Sequence, residues 1–317
     1  MNIFQSGIPR SGNGWLYNIV YHSLRAGNVE VKNYIKTQPI HQVAQSWPEP
    51  LPGQASTDTV HFRGSDVDYG IGQIFRYPIP DWQDYLRQAT QLWCHEPYRR
   101  PMREKLSQVS HLIYIIRDPR DASISHSRFV FADHIRWFSR NKTADPATFL
   151  KKLLFFQVRR WAEHVGSWLQ AAQDPTLNIH FIFYERLLHD FENELDQLVS
   201  FLGLDLSTSQ RQRVREATTF ASMKAKYPNH VRRGIDRERV EVLTPLQKSE
   251  SAAMVPKMLK LLNYPVQEPP MSDTTLPGLP TNLSKKDIQQ AVRDAQSLTW
   301  REIAARVKQG GLRLTRL

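Results

Sequence analysis

The chain has 317 residues and a formal net charge of +11, which favours polyanionic ligands, with nucleic acid and anionic membranes among them. Its length permits one large α/β domain with an appendage or two modest domains. A single cysteine excludes an internal disulfide framework, no apolar run approaches membrane-spanning length, and the first predicted strand leaves no room for a signal peptide. We therefore expect a cytoplasmic protein.

The first predicted elements are a strand at Asn2–Gln5, a glycine-rich turn at Gly7–Gly14, and an amphipathic helix. Unpaired amide hydrogens and a helix N-terminus meet at such a turn and bind phosphate. Arg10 adds a permanent charge and a bidentate donor. Asn13 and Gly14 stand where nucleotide triphosphatases place a Lys-Ser/Thr pair for phosphate and magnesium. The turn therefore predicts metal-free phosphate binding, with an ordinary strand-to-helix turn as the alternative.

Further strands with helical patterns between most of them are predicted at Thr59–Phe62, Gln91–Cys94, Leu112–Ile116 and Ile179–Tyr184. This alternation predicts an α/β fold with a mainly parallel central sheet, in three α/β/α layers like those of P-loop proteins. Apart from the strand at Thr59–Phe62, residues 32–85 are rich in Pro, Gly and aromatics and are interpreted as long loops. Ligands bind at the carboxyl ends of parallel strands, and Arg117 follows one such end.

A second motif is the apolar run His111–Ile116, which ends in Arg117 and continues into a helical stretch through Ser125. Together with the glycine-rich turn, it resembles the sulfotransferases that use 3′-phosphoadenosine 5′-phosphosulfate (PAPS) and release 3′-phosphoadenosine 5′-phosphate (PAP). In that family, G-x-P-[KR]-S-G binds the 5′-phosphosulfate. A strand-end Arg, with a Ser eight residues later, binds the 3′-phosphate, and Arg117 and Ser125 keep this spacing.

The resemblance continues in a consistent order to about residue 262. The family's Y-E-x-L strand, its S-F-x-x-M-K stretch near the adenine and its R-[KR]-G loop are similar to Tyr184–Leu187, Thr218–Lys224 and Arg232–Gly234. The resemblance implies a sulfotransferase domain at 1–262. It also implies transfer of a sulfuryl group from PAPS to a hydroxyl, with an amine less favoured, of a small molecule, lipid or saccharide.

The resemblance also implies the donor-site residues. Arg10 would bind the 5′-phosphate and stabilise the departing oxygen as a catalytic residue. Contacts to the 5′-phosphosulfate are implied for Ser11, Gly12, Asn13 and Gly14. Contacts to the adenine are implied for Trp15, Tyr184, Thr218 and Phe220. A clamp on the 3′-phosphate is implied for Arg117, Ser125, Arg232, Arg233 and Gly234.

The candidate general base is His95, at a predicted strand end ahead of the Arg117 strand. In the resembled family a strand-end T-H-x-P histidine at about this interval is the base, and an unperturbed imidazole suits proton abstraction near neutrality. A lone histidine is more often structural, and Glu96 is the second candidate. Cys94 is expected in the core, because adjacent strand residues face opposite ways and do not easily share a metal ion. No metal is expected.

The chain after the resembling region changes in composition. Residues 263–281 are predicted to be a proline-rich linker and residues 282–317 a short helical appendage with a basic tail. The favoured interpretation is a helical hairpin docked on the core or a partner. Two other functions remain open: a nucleotide-dependent kinase of the P-loop class, and a less favoured nucleic-acid-binding protein that uses this tail. The sequence predicts no oligomeric state.

Overall fold

The computed structural model of the protein describes residues 1–47, 51–72, 74–132, 145–227, 234–270, 275–298, 302 and 305. Its strands are β1 Ile3–Ser6, β2 Asp58–Arg63, β3 Asp66–Ile71, β4 Phe75–Pro78, β5 Gln91–Cys94, β6 His111–Ile116 and β7 Ile179–Phe183. They form one sheet in the order β4-β3-β2-β5-β1-β6-β7. The neighbouring strands β2, β5, β1, β6 and β7 are parallel to one another. Strands β3 and β4 extend the sheet beyond β2 as an antiparallel hairpin. The predicted mainly parallel sheet is confirmed.

The helices connect these strands across both faces. They are α1 Asn13–Ala26, α2 Pro39–Ala44, α3 Leu51–Gln54, α4 Trp82–Gln88, α5 Arg103–Leu106, α6 Pro119–Phe129, α7 Pro146–Ala171, α8 Tyr184–His189, α9 Phe191–Phe201, α10 Thr208–Ala217, α11 Phe220–Lys226, α12 Glu238–Val242, α13 Pro245–Met254, α14 Pro256–Leu261 and α15 Lys285–Ser297. Short 3₁₀ helices lie at Tyr34–Thr37 and Arg100–Met102. None of the helices among the described residues is both long enough and apolar enough to cross a membrane.

The two faces of the sheet bury two separate hydrophobic cores, because successive strand residues point to opposite sides. Phe4 and Tyr114 pack into the core that contains α7 and α15, whereas Ile3 and Ile115 pack into the core that contains α1, α9 and α10. This arrangement confirms the predicted three-layer α/β/α fold. All of the described central strands end at one edge of the sheet, where the candidate site lies.

The prediction of loops throughout residues 32–85, apart from β2, is wrong. Residues 66–78 form the β3–β4 hairpin, which pairs with β2. Asp68 interrupts the apolar alternation that would have indicated a strand. Its carboxylate is buried on the sheet and accepts hydrogen bonds from Arg63 Nε and Nη2 at 2.7 and 2.8 Å. An ion pair thus takes the place of an apolar contact in this strand.

The C-terminal helix α15 packs against the long helix α7. A Cβ atom added to Gly166 would lie 2.1 Å from Val292 Cγ2, so the absence of a side chain lets the two helices approach closely. Ile288 belongs to the same buried core as Trp161. Helix α15 begins after an N-terminal cap, where Ser284 Oγ accepts from Asp287 N at 3.1 Å. The division into a domain, a linker and an appendage stays a prediction.

Candidate active site

The turn between β1 and α1 depends on two glycines. Gly12 has φ +95°, the left-handed region that disfavours other residues, and an added Cβ would lie 2.6 Å from the ring of Tyr184. An added Cβ on Gly7 would lie 2.6 Å from Ile115 Cγ2. The turn is therefore packed directly against the ends of β6 and β7.

The turn offers hydrogen-bond donors for an anion. The first four N–H groups of an α-helix have no partner in the preceding turn of the helix. The N–H groups of Trp15 and Leu16 bond the Gly12 carbonyl, each at 3.0 Å, which leaves those of Asn13 and Gly14 at the helix end. The Ser11 hydroxyl is buried and has no partner. These groups fit the 5′-phosphosulfate, because all of them donate and the helix end is positive.

The side chain of Asn13 acts inside the turn. Its Nδ2 donates to the Ile8 carbonyl at 2.9 Å, and its backbone carbonyl accepts from Gln5 Nε2 at 2.8 Å. Its Oδ1 is buried without a partner, and an acceptor atom does not bind an anion. Asn13 therefore braces the turn through its side chain and offers only its amide hydrogen to a phosphate.

Arg10 lies at the top of the turn, in the left-handed region at φ 74°. Its Nε donates to Ser125 Oγ at 3.3 Å, and its guanidinium lies 4.5 Å from the centroid of the Phe129 ring. Burial, followed by the nearby charge of Arg117, lowers the pKa of Arg10 to about 10. The side chain therefore stays charged at neutral pH, but in surroundings that would favour a bound anion.

Arg117 is buried where β6 ends. Its Nη1 donates to the Arg10 carbonyl at 3.1 Å, its Nη2 donates to the Ile235 carbonyl at 2.9 Å, and its guanidinium lies 4.1 Å from the Tyr184 ring centroid. Its Nε has no partner. An unsatisfied buried donor on a permanent cation fits a phosphate group. Ser125 contacts Arg10 and not Arg117 in this structure.

Aromatic rings form a packed cluster beside the turn. Trp15 lies 4.6 Å from Phe220 and 5.8 Å from Tyr184, measured between ring centroids. An added Cβ on Gly234 would lie 2.3 Å from the Phe220 ring, so the chain passes directly over that ring. Trp15 Nε1 donates to the Thr218 carbonyl at 2.8 Å. The Thr218 hydroxyl donates to Val214 O, so Thr218 positions the indole through its backbone.

Arg232 and Arg233 lie outside the described residues. The segment that follows them is anchored to α6, because Asp121 accepts from the backbone N–H of Arg237 at 3.2 Å and of Arg239 at 2.8 Å. The Arg239 guanidinium also donates to Asp121 at 2.6 Å. The segment from Gly234 onward is therefore held between the Arg117 strand and α6.

A buried ion network supports this junction. Arg120 pairs with Asp118 at 2.6 Å, Arg239 pairs with Asp121 at 2.6 Å, and both arginines donate to Glu268 Oε1, at 3.2 and 2.9 Å. Both arginines and both aspartates are buried. Glu268 comes from the proline-rich segment after α14, so that segment contributes charge to the site's support.

We expect Glu268→Gln to destabilise the protein by about 1–3 kcal/mol, because the variant removes the carboxylate charge that two buried guanidinium groups share. Chemical denaturation measures the change in the free energy of unfolding. Glu192→Gln is the matched control, since its ion pair with Arg215 is more than half exposed on both sides, and we expect it to cost less than about 1 kcal/mol. Equal effects of the two variants would contradict the supporting role of Glu268.

His95 lies just beyond β5, with both ring nitrogens engaged. Nδ1 is 2.7 Å from the Gly7 carbonyl and Nε2 is 2.9 Å from Trp93 Nε1. Although the residue reaches the surface, desolvation by the surrounding protein lowers the pKa of His95 below its ordinary value; the hydrogen bond to Gly7 opposes this shift, and His61 and Arg10 add to it. A neutral imidazole at neutral pH meets the first requirement for a general base.

The carboxylate of Glu96 contacts two residues of β2. One carboxylate oxygen accepts from Phe62 N at 3.0 Å and the other lies 3.6 Å from His61 Nδ1. The predicted core position of Cys94 is confirmed, and burial raises the pKa of its thiol. Across the part of the chain that the structure describes, no cluster of three or more His, Cys, Asp or Glu side chains could hold a metal ion.

Sequence reasoning missed two contacts in this site. Phe129, under the Arg10 guanidinium, follows Ser125 by one helical turn, so its position on the same face of α6 could have been derived from that spacing. Trp93 in β5 and His95 just beyond it are two residues apart, a spacing that places extended residues on the same side of the chain. The hydrogen bond between their side chains depends on rotamers that the sequence does not reveal.

The fold and the turn at Gly7–Gly14 together define a P-loop-like α/β protein whose turn offers donors that fit a phosphate. The model of the sulfotransferase domain family matches residues 2–252. The chain therefore belongs to the sulfotransferase family.

Curated relatives of this chain include cytosolic sulfotransferase 1 of Danio rerio, 29% identical over 132 residues, or 41% of this chain and 42% of that protein. Amine sulfotransferase of Oryctolagus cuniculus is 28% identical over 153 residues, or 46% of this chain and 49% of that protein. The 3-alpha-hydroxysteroid sulfotransferase of Cavia porcellus is 27% identical over 221 residues, or 68% of this chain and 63% of that protein. The chain thus spans about half the length of the curated relatives it matches.

Solved structures share the fold. Mouse sulfotransferase SULT7A1 complexed with PAP superposes with a TM-score of 0.54 at 20% identity, covering 82% of this chain and 84% of that chain. Retinol dehydratase in complex with androsterone and PAP gives a TM-score of 0.52 at 18% identity, covering 85% of this chain and 83% of that chain. At these identities the likeness concerns the fold.

Proposed function

We propose that the protein is a sulfotransferase that moves a sulfuryl group from PAPS to an acceptor hydroxyl. One observation carries the proposal: the glycine-rich turn, the buried Arg117, the ring cluster around Trp15 and the imidazole of His95 lie together at the carboxyl ends of the parallel strands. Family membership supports this assignment and disfavours a kinase of the P-loop class. The turn also lacks the Lys-Ser/Thr pair that a magnesium-dependent kinase loop uses.

In the proposed complex, the amide hydrogens of Asn13 and Gly14 and the Ser11 hydroxyl bind the 5′-phosphosulfate without a metal. Arg117 binds the 3′-phosphate, and its unpartnered Nε supports this role. Arg232, Arg233 and Gly234 complete the phosphate clamp. The adenine packs against the ring cluster of Trp15, Tyr184 and Phe220, whose π faces suit a base.

The proposed chemistry is an in-line displacement at sulfur, which depends mainly on positioning and on charge. The acceptor hydroxyl gives its proton to His95 Nε2 while its oxygen forms the new S–O bond. The bond from sulfur to the 5′-phosphate oxygen breaks, and the charge that appears on that oxygen is stabilised by Arg10. PAP leaves with the electron pair of the broken bond.

The acceptor class belongs to the same proposal. A small molecule, a lipid or a saccharide would supply the hydroxyl, and the name of the rabbit relative keeps an amine as the less favoured acceptor. A cytoplasmic location is also proposed, and the name of the zebrafish relative supports it. A screen of phenols, steroids, amines and sugars with labelled PAPS would identify the acceptor.

We expect the protein to bind PAP at least about tenfold more tightly than AMP without added metal, because a charge-assisted hydrogen bond contributes about 1.5–3 kcal/mol. Isothermal titration calorimetry of both nucleotides, with EDTA and then with magnesium, measures this difference. PAP and AMP share the adenine and the 5′-phosphate, so the pair isolates the 3′-phosphate. Equal affinities, or binding that requires magnesium, would overturn the assignment.

A further inference from the structure

The hydrogen bonds of His95 fix its tautomer. The Gly7 carbonyl can only accept, so the ring proton of the neutral imidazole is on Nδ1, which donates across 2.7 Å. The indole nitrogen of Trp93 can only donate, so Nε2 accepts from it across 2.9 Å. An imidazole nitrogen has one lone pair in the ring plane. The single basic site of His95 is therefore already filled by the Trp93 N–H.

From this geometry we propose that Trp93 is a positioning residue that gates the general base. The indole N–H covers Nε2 until the acceptor arrives, and the acceptor hydroxyl has to displace it before donating its own proton. This inference rests on the proposed role of His95 as the base. It adds that the acceptor hydroxyl must compete with the Trp93 indole N–H for His95 Nε2.

The surroundings allow this exchange. Trp93 and His95 both retain exposed surface, so an acceptor can reach the nitrogen from the solvent side. The Trp93 ring packs on Tyr17 of α1, with centroids 5.4 Å apart and an interplanar angle of 32°. That contact holds the indole plane near the base. An acceptor with a flat apolar body would pack against the same two rings.

The gate has a predictable electrostatic effect. A hydrogen bond donated to Nε2 stabilises the neutral imidazole and so disfavours protonation. Without it, His95 should titrate at higher pH. The other groups that face the ring are Arg10 from the turn, His61 from β2 and His164 from α7, with Glu96 next along the chain. These groups stay in place in a Trp93 variant, so the change reports the indole bond.

The test compares Trp93→Phe with the wild type and with Trp82→Phe. The control removes a different indole hydrogen bond, from Trp82 Nε1 to the Lys105 carbonyl. NMR of the imidazole nitrogens follows the titration of His95 and its tautomer in the free protein. We expect Trp93→Phe to raise the pKa of His95 by roughly 0.5–1 pH unit and to lower, roughly threefold to tenfold, the KM of the compound that the labelled-PAPS screen of phenols, steroids, amines and sugars finds most active. Trp82→Phe should change neither quantity.

Wild-type protein provides a test that needs no variant. The expected NMR signature is a proton on His95 Nδ1 and a hydrogen bond from the Trp93 indole to Nε2. A proton on Nε2 at neutral pH, or a His95 titration unchanged in a folded Trp93→Phe variant, would overturn the gate. Because this titration needs neither PAPS nor acceptor, it is read separately from PAP binding, whose loss would overturn the proposed function.

Discussion

Replacing Arg117 with alanine is expected to weaken PAP binding by about 10- to 100-fold. The guanidinium is the buried cation at the end of β6, and a lost hydrogen bond to a charged group costs about 1.5–3 kcal/mol. Calorimetry with PAP and with AMP should find the loss concentrated on PAP, which carries the additional phosphate. Arg117→Lys should recover only part of the affinity, since an ammonium lacks the planar fork of donors.

Arg10→Ala is the matched comparison for Arg117→Ala, because the two guanidinium groups are neighbours with different proposed targets. In the proposed mechanism Arg10 acts on the oxygen that acquires charge in the transition state, so its loss should lower kcat more than it weakens PAP binding. Steady-state kinetics with PAPS separates the two effects. If both variants only raise KM, and to a similar degree, the catalytic role of Arg10 is wrong.

The sequence predicts the central strand β6 well because its residues 112–116 are continuously apolar. Residues of β6 are buried on both faces, so Leu112–Ile116 carries a signal that does not depend on the neighbouring elements. The β3–β4 hairpin gives no such signal. Asp68 occupies a buried strand position through its partner Arg63, and that compensation is visible only in three dimensions.

Prediction of the candidate site from the sequence has the same limit, because contacts between distant parts of the chain leave no local signal. Glycine spacing and a strand-end arginine mark the proposed phosphate contacts, because local backbone geometry determines both features. Long-range contacts are less accessible to sequence reasoning. Arg10 meets Ser125 across 115 positions of the chain. Glu268 supports the site from a proline-rich segment whose composition indicates only an extended chain.

Replacing His95 with alanine is expected to lower turnover by about two to four orders of magnitude, the usual contribution of a general base. The pKa of His95 is lowered mainly by desolvation, so the imidazole is neutral and able to accept a proton at pH 7. In the wild type, kcat/KM should therefore stay level as the pH falls from 8 and decline only when the imidazole becomes protonated. PAP binding should persist in His95→Ala, because the proposed role of the imidazole concerns the acceptor and not the nucleotide.

Glu96→Gln is the matched variant for the alternative base, since the two residues are adjacent. Its carboxylate already accepts from Phe62 N at 3.0 Å, so we expect only a mild loss of turnover. Stopped assays with labelled PAPS, together with PAP calorimetry on each variant, separate chemistry from binding. A large loss in Glu96→Gln with a mild one in His95→Ala would transfer the role of the base to Glu96. Full turnover in both variants would place the base on another residue, because neither side chain would then be needed to remove the acceptor proton.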